Sequence, residues 1–145
     1  MDILKVKKLS ARAILPRRAT EQSAGADLAA CLEEPFLLPA GGLAGIPTGI
    51  AVEIAPGWAG FVFGRSGLGT KHGITLSNSV GVIDADYRGE LHIGLCNHGS
   101  EGYLIQPGER IAQLVLLPVG MAEIVEVESL SDTGRGTGGF GSTGR

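Results

Sequence analysis

The 145-residue chain lacks the features that would let it coat a nucleic acid, cross a bilayer or rely on disulfides. Cationic excess is missing: twelve Lys and Arg stand against fifteen Asp and Glu, a formal net charge of −3. Non-specific nucleic-acid binding needs a basic surface, so that class is excluded. One small polyanion held at a local site is not, although a triphosphate would need a divalent cation to offset the repulsion. No apolar run approaches the about 18 residues of a membrane span. Met1-Asp-Ile-Leu-Lys5 opens no secretory leader, and lipidation signals are absent. Cysteine is scarce too. Cys31 and Cys96 sit in apolar, strand-like settings and are expected to be reduced and buried in a cytoplasmic protein. His72, His92 and His98 show no metal-ligand spacing and there is no Cys-x-x-Cys, so the histidines are assigned no metal. Helical periodicity is almost missing.

What the chain has is glycine and alternation. Twenty-four glycines and seven prolines, without a Gly-X-Y period, describe a turn-rich domain. The length suits one domain with its own core. Period-2 apolar bursts recur at Leu4–Val6, Ile50–Ile54, Phe61–Phe63, Ile74–Leu76, Leu91–Leu95, Tyr103–Ile105, Ile111–Leu117 and Ile124–Val127. Turn signals separate them at Pro56-Gly57, Asn97-His98-Gly99 and Pro107-Gly108. Many short strands at close spacing predict an all-β sandwich or barrel over residues 1–131. One helix of one or two turns is expected from Ser66, read as its N-cap. Residues 132–145 hold too few apolar anchors for a core and form a flexible arm that a ligand would have to order.

Gly81-Val-Ile-Asp-Ala-Asp-Tyr-Arg-Gly-Glu90 is the most informative stretch, read as a β-hairpin with Asp84 and Tyr87 at its tip. A carboxylate on a rigid tip can polarise water, and an aromatic beside it can pack on a sugar ring. Asp86 reads as turn chemistry. Arg65-Ser66-Gly67, where a strand yields to the short helix, offers a cation, a hydroxyl and free N–H groups to a phosphate. Asn78 carries a donor and an acceptor suited to a pyrimidine edge. Gln113 is a neutral amide within an apolar strand and should face a partner or a cavity. Each also has an ordinary reading: a capped turn, a bulge asparagine, a core tyrosine, a core hydrogen bond. In the arm, Gly136-x-Gly138-x-x-Gly141 matches the dinucleotide fingerprint literally, but no strand leads into it and no helix can follow. It reads instead as a strap closing over a nucleotide, with Phe140 on the base and Arg135, Ser142 and Thr143 on phosphates.

In this order, Ala24-Gly-Ala-Asp-Leu28, Arg65-Ser-Gly-Leu68, Gly81–Gly89, Arg110-Ile-Ala-Gln-Leu114 and Arg135–Thr143 resemble the five motifs of the trimeric dUTP diphosphatases (dUTPases), intervening lengths included. The resemblance implies a β-clip, jelly-roll-like barrel assembled as a homotrimer, with sites at subunit contacts and arms exchanged between subunits. It implies Mg2+-dependent hydrolysis of dUTP to dUMP and pyrophosphate, which keeps uracil out of DNA and supplies dUMP for thymidylate synthesis. Asp84 would align the attacking water, and Tyr87 would refuse a 2′-hydroxyl. Asn78, with backbone near Val82 and Ile83, would read uracil, and His92 would contact the base. Arg65, Ser66, Gly67 and Gln113 would hold phosphates. Asp27 would reach the magnesium through water, and Phe140 with Gly141, Ser142 and Thr143 would cover the nucleotide. Two departures stand out: Gly64 where a proline is common, and Cys96 where a tryptophan is frequent. The rival reading is a dCTP deaminase-like enzyme of the same fold; a second is a non-catalytic binding module.

Overall fold

Chain order in the computed structural model, which describes residues 3–139, is eleven strands and one helix. The strands are β1 (Lys5–Lys8), β2 (Ala26–Ala29), β3 (Phe36–Leu38), β4 (Leu43–Pro47), β5 (Ile50–Glu53) and β6 (Trp58–Gly64). After helix α1 (Ser66–His72) come β7 (Ile74–Leu76), β8 (Gly81–Ile83), β9 (His92–Asn97), β10 (Tyr103–Ile105) and β11 (Arg110–Pro118). The all-β expectation holds. Pairing is antiparallel throughout, in four small sheets ordered β2-β11-β6-β8, β4-β9-β7, β1-β5 and β3-β10. Between them Leu28, Leu38, Ile46, Ile50, Ile54, Ile74, Leu91, Leu95, Ile105 and Ile111 are buried in one aliphatic core.

Several expectations are corrected. The Gly81–Glu90 segment is not a paired hairpin: β8 pairs with β6, whereas β9 pairs with β4 and β7. The segment crosses from one sheet to another, and its turn is closed by Tyr87 N–H donating to the Asp84 carbonyl at 3.2 Å. Ile124–Val127 forms no strand; Ile124 is 99% exposed. Its alternating pattern is real, but no strand edge among the described residues pairs with it. Three strands escaped the sequence reading because their patterns are broken: β2 is built on alanines, β4 carries Gly45 and Pro47, and β3 has only three residues. Cys31 is partly exposed, while Cys96 is buried as expected; both are free thiols. Ser66 is the first helical residue, not the cap. Arg65 holds the extended cap position, and no side chain caps the helix.

Two fully buried polar side chains among the described residues show how the loops are fixed. Asn97 donates to the carbonyls of Leu38 (3.0 Å) and Glu101 (2.8 Å) and accepts from Gly99 N–H, stitching three segments together. The Thr48 hydroxyl donates to the Leu91 carbonyl at 2.7 Å. A buried polar group costs free energy unless bonded, and both are satisfied. Nearby, the Tyr103 hydroxyl donates to Glu109 at 2.5 Å. Burial, then the bond to Glu109, pushes the Tyr103 phenol up to about 12. The proton is thus held more tightly in the folded chain than in the unfolded one. The resulting stability is fully present below the ordinary tyrosine value of 10.0 and is lost as pH rises from there toward about 12. Tyr103→Phe should flatten the alkaline limb of the stability curve over that window, read as urea midpoints against pH.

Candidate active site

Two clusters of polar side chains form, at opposite ends of the β2-β11-β6-β8 sheet. At one end β2, β11 and β6 lie side by side, so Asp27, Gln113 and Phe63 stand in one row. Asp27 accepts from Arg65 Nε through Oδ1 and from Arg110 Nη1 through Oδ2, each at 3.0 Å. Arg65 Nη1 also donates to the Arg110 carbonyl at 3.1 Å. Gln113 Nε2 donates to the Gly64 carbonyl at 3.0 Å. Gly25 lies against it, so a Cβ there would push the Gln113 amide from its place. Ser66 and Gly67 follow at the exposed start of α1. This end presents cations, a hydroxyl and backbone N–H groups, the chemistry of phosphate binding.

The other end is the crossover after β8. Val82, Ile83, Asp84, Tyr87, Glu90, Leu91 and His92 line a pocket of about 230 Å3. Asp84 is exposed, and no side chain among the described residues bonds its carboxylate. It also borders a larger cavity of about 620 Å3 walled by Ile54, Trp58, Ala59, Val119 and Met121. The carboxylate therefore stands between two apolar-walled spaces. Val82 is 58% exposed and Tyr87 45%, apolar surface beside a carboxylate. The Tyr87 hydroxyl donates to the Glu90 carbonyl at 3.0 Å, crossing directly over Gly89. A Cβ at Gly89 would lie 2.4 Å from that hydroxyl, so only glycine permits the ring's position. Arg88 Nη1 donates to the Ala85 and Tyr87 carbonyls and holds the turn.

Asn78 sits in the turn between β7 and β8. Its neighbour Ser79 has φ 64, the sole non-glycine residue with positive φ among those described. Such a backbone costs of order 1–3 kcal/mol and persists where the surroundings over-determine it. Asn78 Nδ2 lies 3.7 Å from where a Gly81 Cβ would be, beside the start of β8, but does not line the small pocket.

The separation of the two ends is large. Ile83 pairs with Gly60, and from Gly60 to Arg65 the strand runs five residues, roughly 16 Å at about 3.3 Å per residue. Asp84 lies a further residue beyond. Of the residues singled out in the sequence, the structure brings Arg65, Ser66, Gly67, Gln113 and Asp27 to one end, and Val82, Ile83, Asp84, Tyr87 and His92 to the other. Sequence reasoning passed over Arg110, which completes the clasp on Asp27, and Glu90. Arg135 is exposed, its Nε donates to the Gly138 carbonyl at 2.7 Å, and it lines neither cluster's pocket. Phe140, Gly141, Ser142 and Thr143 lie outside the described residues. No group of three or more His, Cys, Asp or Glu capable of holding a metal occurs among the described residues.

The sequence model of the dUTPase family matches residues 11–144. The chain is 50% identical over 143 residues to the deoxyuridine 5'-triphosphate nucleotidohydrolase of Burkholderia mallei (strain SAVP1), covering 98% of this chain and 97% of that protein. It is 51% identical over 132 residues to the enzyme of the same description from Ralstonia nicotianae, covering 90% and 89%. Among solved structures, the Staphylococcus bacteriophage 80alpha dUTPase with dUPNHPP superposes with a TM-score of 0.87 at 32% identity, each chain covered completely. A variant dUTPase from phage phi11 of S. aureus, described with a structural Mg(II) ion, gives 0.80 at 29% identity, covering 88% of this chain and 98% of that one.

Proposed function

The chain belongs to the dUTPase family and is a dUTP diphosphatase, and on that premise we propose that Asp84 is the general base. Its carboxylate takes a proton from a water whose oxygen bonds to the α-phosphorus of dUTP. The bond from that phosphorus to the bridging oxygen breaks as the new one forms. Pyrophosphate leaves with the electron pair, and dUMP remains. The observation that carries this reading is the place of Asp84: an exposed, unclaimed carboxylate at the rim of the pocket walled by Val82, Ile83 and Tyr87. A base so placed contributes ~10²–10⁴ in rate.

The small pocket takes the deoxynucleoside. Tyr87 lies under the sugar, where a 2′-hydroxyl would strike the ring, while the β8 backbone at Val82 and Ile83 and the His92 ring contact uracil, and Asn78, beside the start of β8, reaches it from outside the small pocket. The other end takes the phosphates on Arg65, Ser66, Gly67 and Gln113. Magnesium fits this donor set only as an ion that arrives with the nucleotide. Asp27 is the carboxylate that the described residues gather at the phosphate end, and both its oxygens already accept from arginines. Each oxygen keeps a lone pair for a metal-bound water, which agrees with contact through water. When bound, magnesium supplies charge neutralisation for the triphosphate.

One triphosphate cannot lie across ends separated by a strand length within the same chain. The phosphate end of one copy then meets the Asp84 end of another, which supports an oligomer with sites at subunit contacts, and the homotrimer of the family resemblance is one such assembly. The unpaired, apolar Ile124–Val127 stretch leads straight to the arm, residues 132–145, which closes over a neighbour's nucleotide through Arg135 and Phe140-Gly-Ser-Thr143. With no membrane-crossing helix among the described residues and two free thiols, the enzyme suits the reducing cytoplasm. The dCTP deaminase-like reading is not favoured by the relatives. Pyrophosphate release measured on dUTP, dTTP, dCTP and UTP, with and without a Mg2+ chelator, tests the whole. Turnover should be confined to dUTP and should collapse on chelation; ammonia release from dCTP would reverse the assignment.

A further inference from the structure

We propose that Glu90 is the positioning residue through which the fold sets sugar discrimination, an inference that rests on Tyr87 and His92 flanking the deoxynucleoside. Glu90 contacts three different things. Its Oε1 accepts the backbone N–H of Gly49 at 2.7 Å, its Oε2 lies 3.2 Å from His92 Nε2, and its carbonyl receives the Tyr87 hydroxyl at 3.0 Å. The side chain is mostly shielded, at 29% exposure.

Gly49 belongs to the turn between β4 and β5, and that turn is anchored to the crossover by its neighbours. Thr48 N–H and hydroxyl both donate to the Leu91 carbonyl, and Leu91 N–H donates to the Ile50 carbonyl at 2.9 Å. Leu91 itself is 1% exposed in the core. The carboxylate of Glu90 therefore ties the outermost residues of this lacing, where the crossover leaves the core for the pocket. Backbone position at Glu90 decides where its carbonyl sits, and that carbonyl fixes the Tyr87 hydroxyl. The other carboxylate oxygen lies 3.2 Å from Nε2 of His92, whose ring lines the same pocket. One side chain thus sets the spacing of the two walls between which sugar and base must fit. Asp84 lies six residues back and shares none of these bonds, so the proton-transfer step should be spared.

The test is steady-state pyrophosphate release from dUTP and UTP by Glu90→Ala, Glu90→Gln and Glu90→Asp, with thermal unfolding of each. Glu90→Ala should raise KM for dUTP ~10-fold or more while kcat stays within about threefold. Its preference for dUTP over UTP should drop ~10-fold, a change that loss of stability alone would not produce. Glu90→Gln keeps an oxygen for Gly49 N–H and should rescue most of the preference. If Glu90→Ala fails to fold, Glu90→Asp, one methylene short of Gly49, should show the same KM rise and lost preference in weaker form. A folded Glu90→Ala or Glu90→Asp enzyme with unaltered KM and preference overturns the inference and leaves the function intact. Absence of dUTP hydrolysis by the unaltered protein would instead overturn the function on which it rests.

Discussion

Asp84→Asn should bind dUTP about as tightly as the unaltered chain and turn it over at least ~10²-fold more slowly. The two halves of that expectation come from different facts. Asparagine has the shape of aspartate but cannot accept the water's proton, so the base contribution disappears, equivalent to at least ~2.7 kcal/mol of barrier. Binding is spared because the groups that hold the nucleoside remain: Val82, Ile83, Tyr87 and His92 line the pocket independently of the carboxylate. Folding is spared as well. Asp84 is exposed and bonds no side chain among the described residues, and exposed substitutions of that kind usually shift stability by less than about 0.5 kcal/mol. Calorimetric titration with a non-hydrolysable dUTP analogue, alongside single-turnover rates on dUTP, separates binding from chemistry. A near-normal rate would remove Asp84 from its role.

The composition of the candidate site was legible in the chain because it is local. Asp84 and Tyr87 lie three residues apart, Arg65 and Ser66 are adjacent, and each group's chemistry follows from its own short stretch. Its geometry was not legible, because sequence distance and spatial distance run in opposite directions here. Arg110 and Asp27 are 83 residues apart and bonded, whereas Arg65 and Asp84, only nineteen apart, stand at opposite ends of a sheet. A strand with clean alternation, such as β7 with Ile74 and Leu76 buried either side of Thr75, could be read directly. The crossover from β8 to β9 looked like a hairpin since apolar alternation reports which face seeks burial, not which strand lies beside it. Ile124–Val127 makes the same point from the other side: its pattern calls for a partner strand, and none pairs with it among the described residues.

Activity should reappear when two dead variants are mixed, and this is the sharpest expectation the separated ends produce. Arg65→Ala removes the guanidinium clasped to Asp27 at the phosphate end and leaves Asp84 untouched. Asp84→Asn does the reverse. Each alone should lose ~10²-fold or more, since every site in a uniform assembly then lacks one half of its chemistry. Unfolding the two together in equal amounts and refolding them allows mixed assemblies to form. A site shared between neighbours then pairs an intact Asp84 from one subunit with an intact Arg65 from the next in about a quarter of cases, by random choice at each position. Roughly a quarter of full turnover should return, far above the sum of the residual rates. A site contained within one chain has no such pairing, for each subunit carries its own defect wherever it sits. Recovery would place the reaction at the boundary between copies; a mixture no better than its parts would return it to a single chain and undo the trimer.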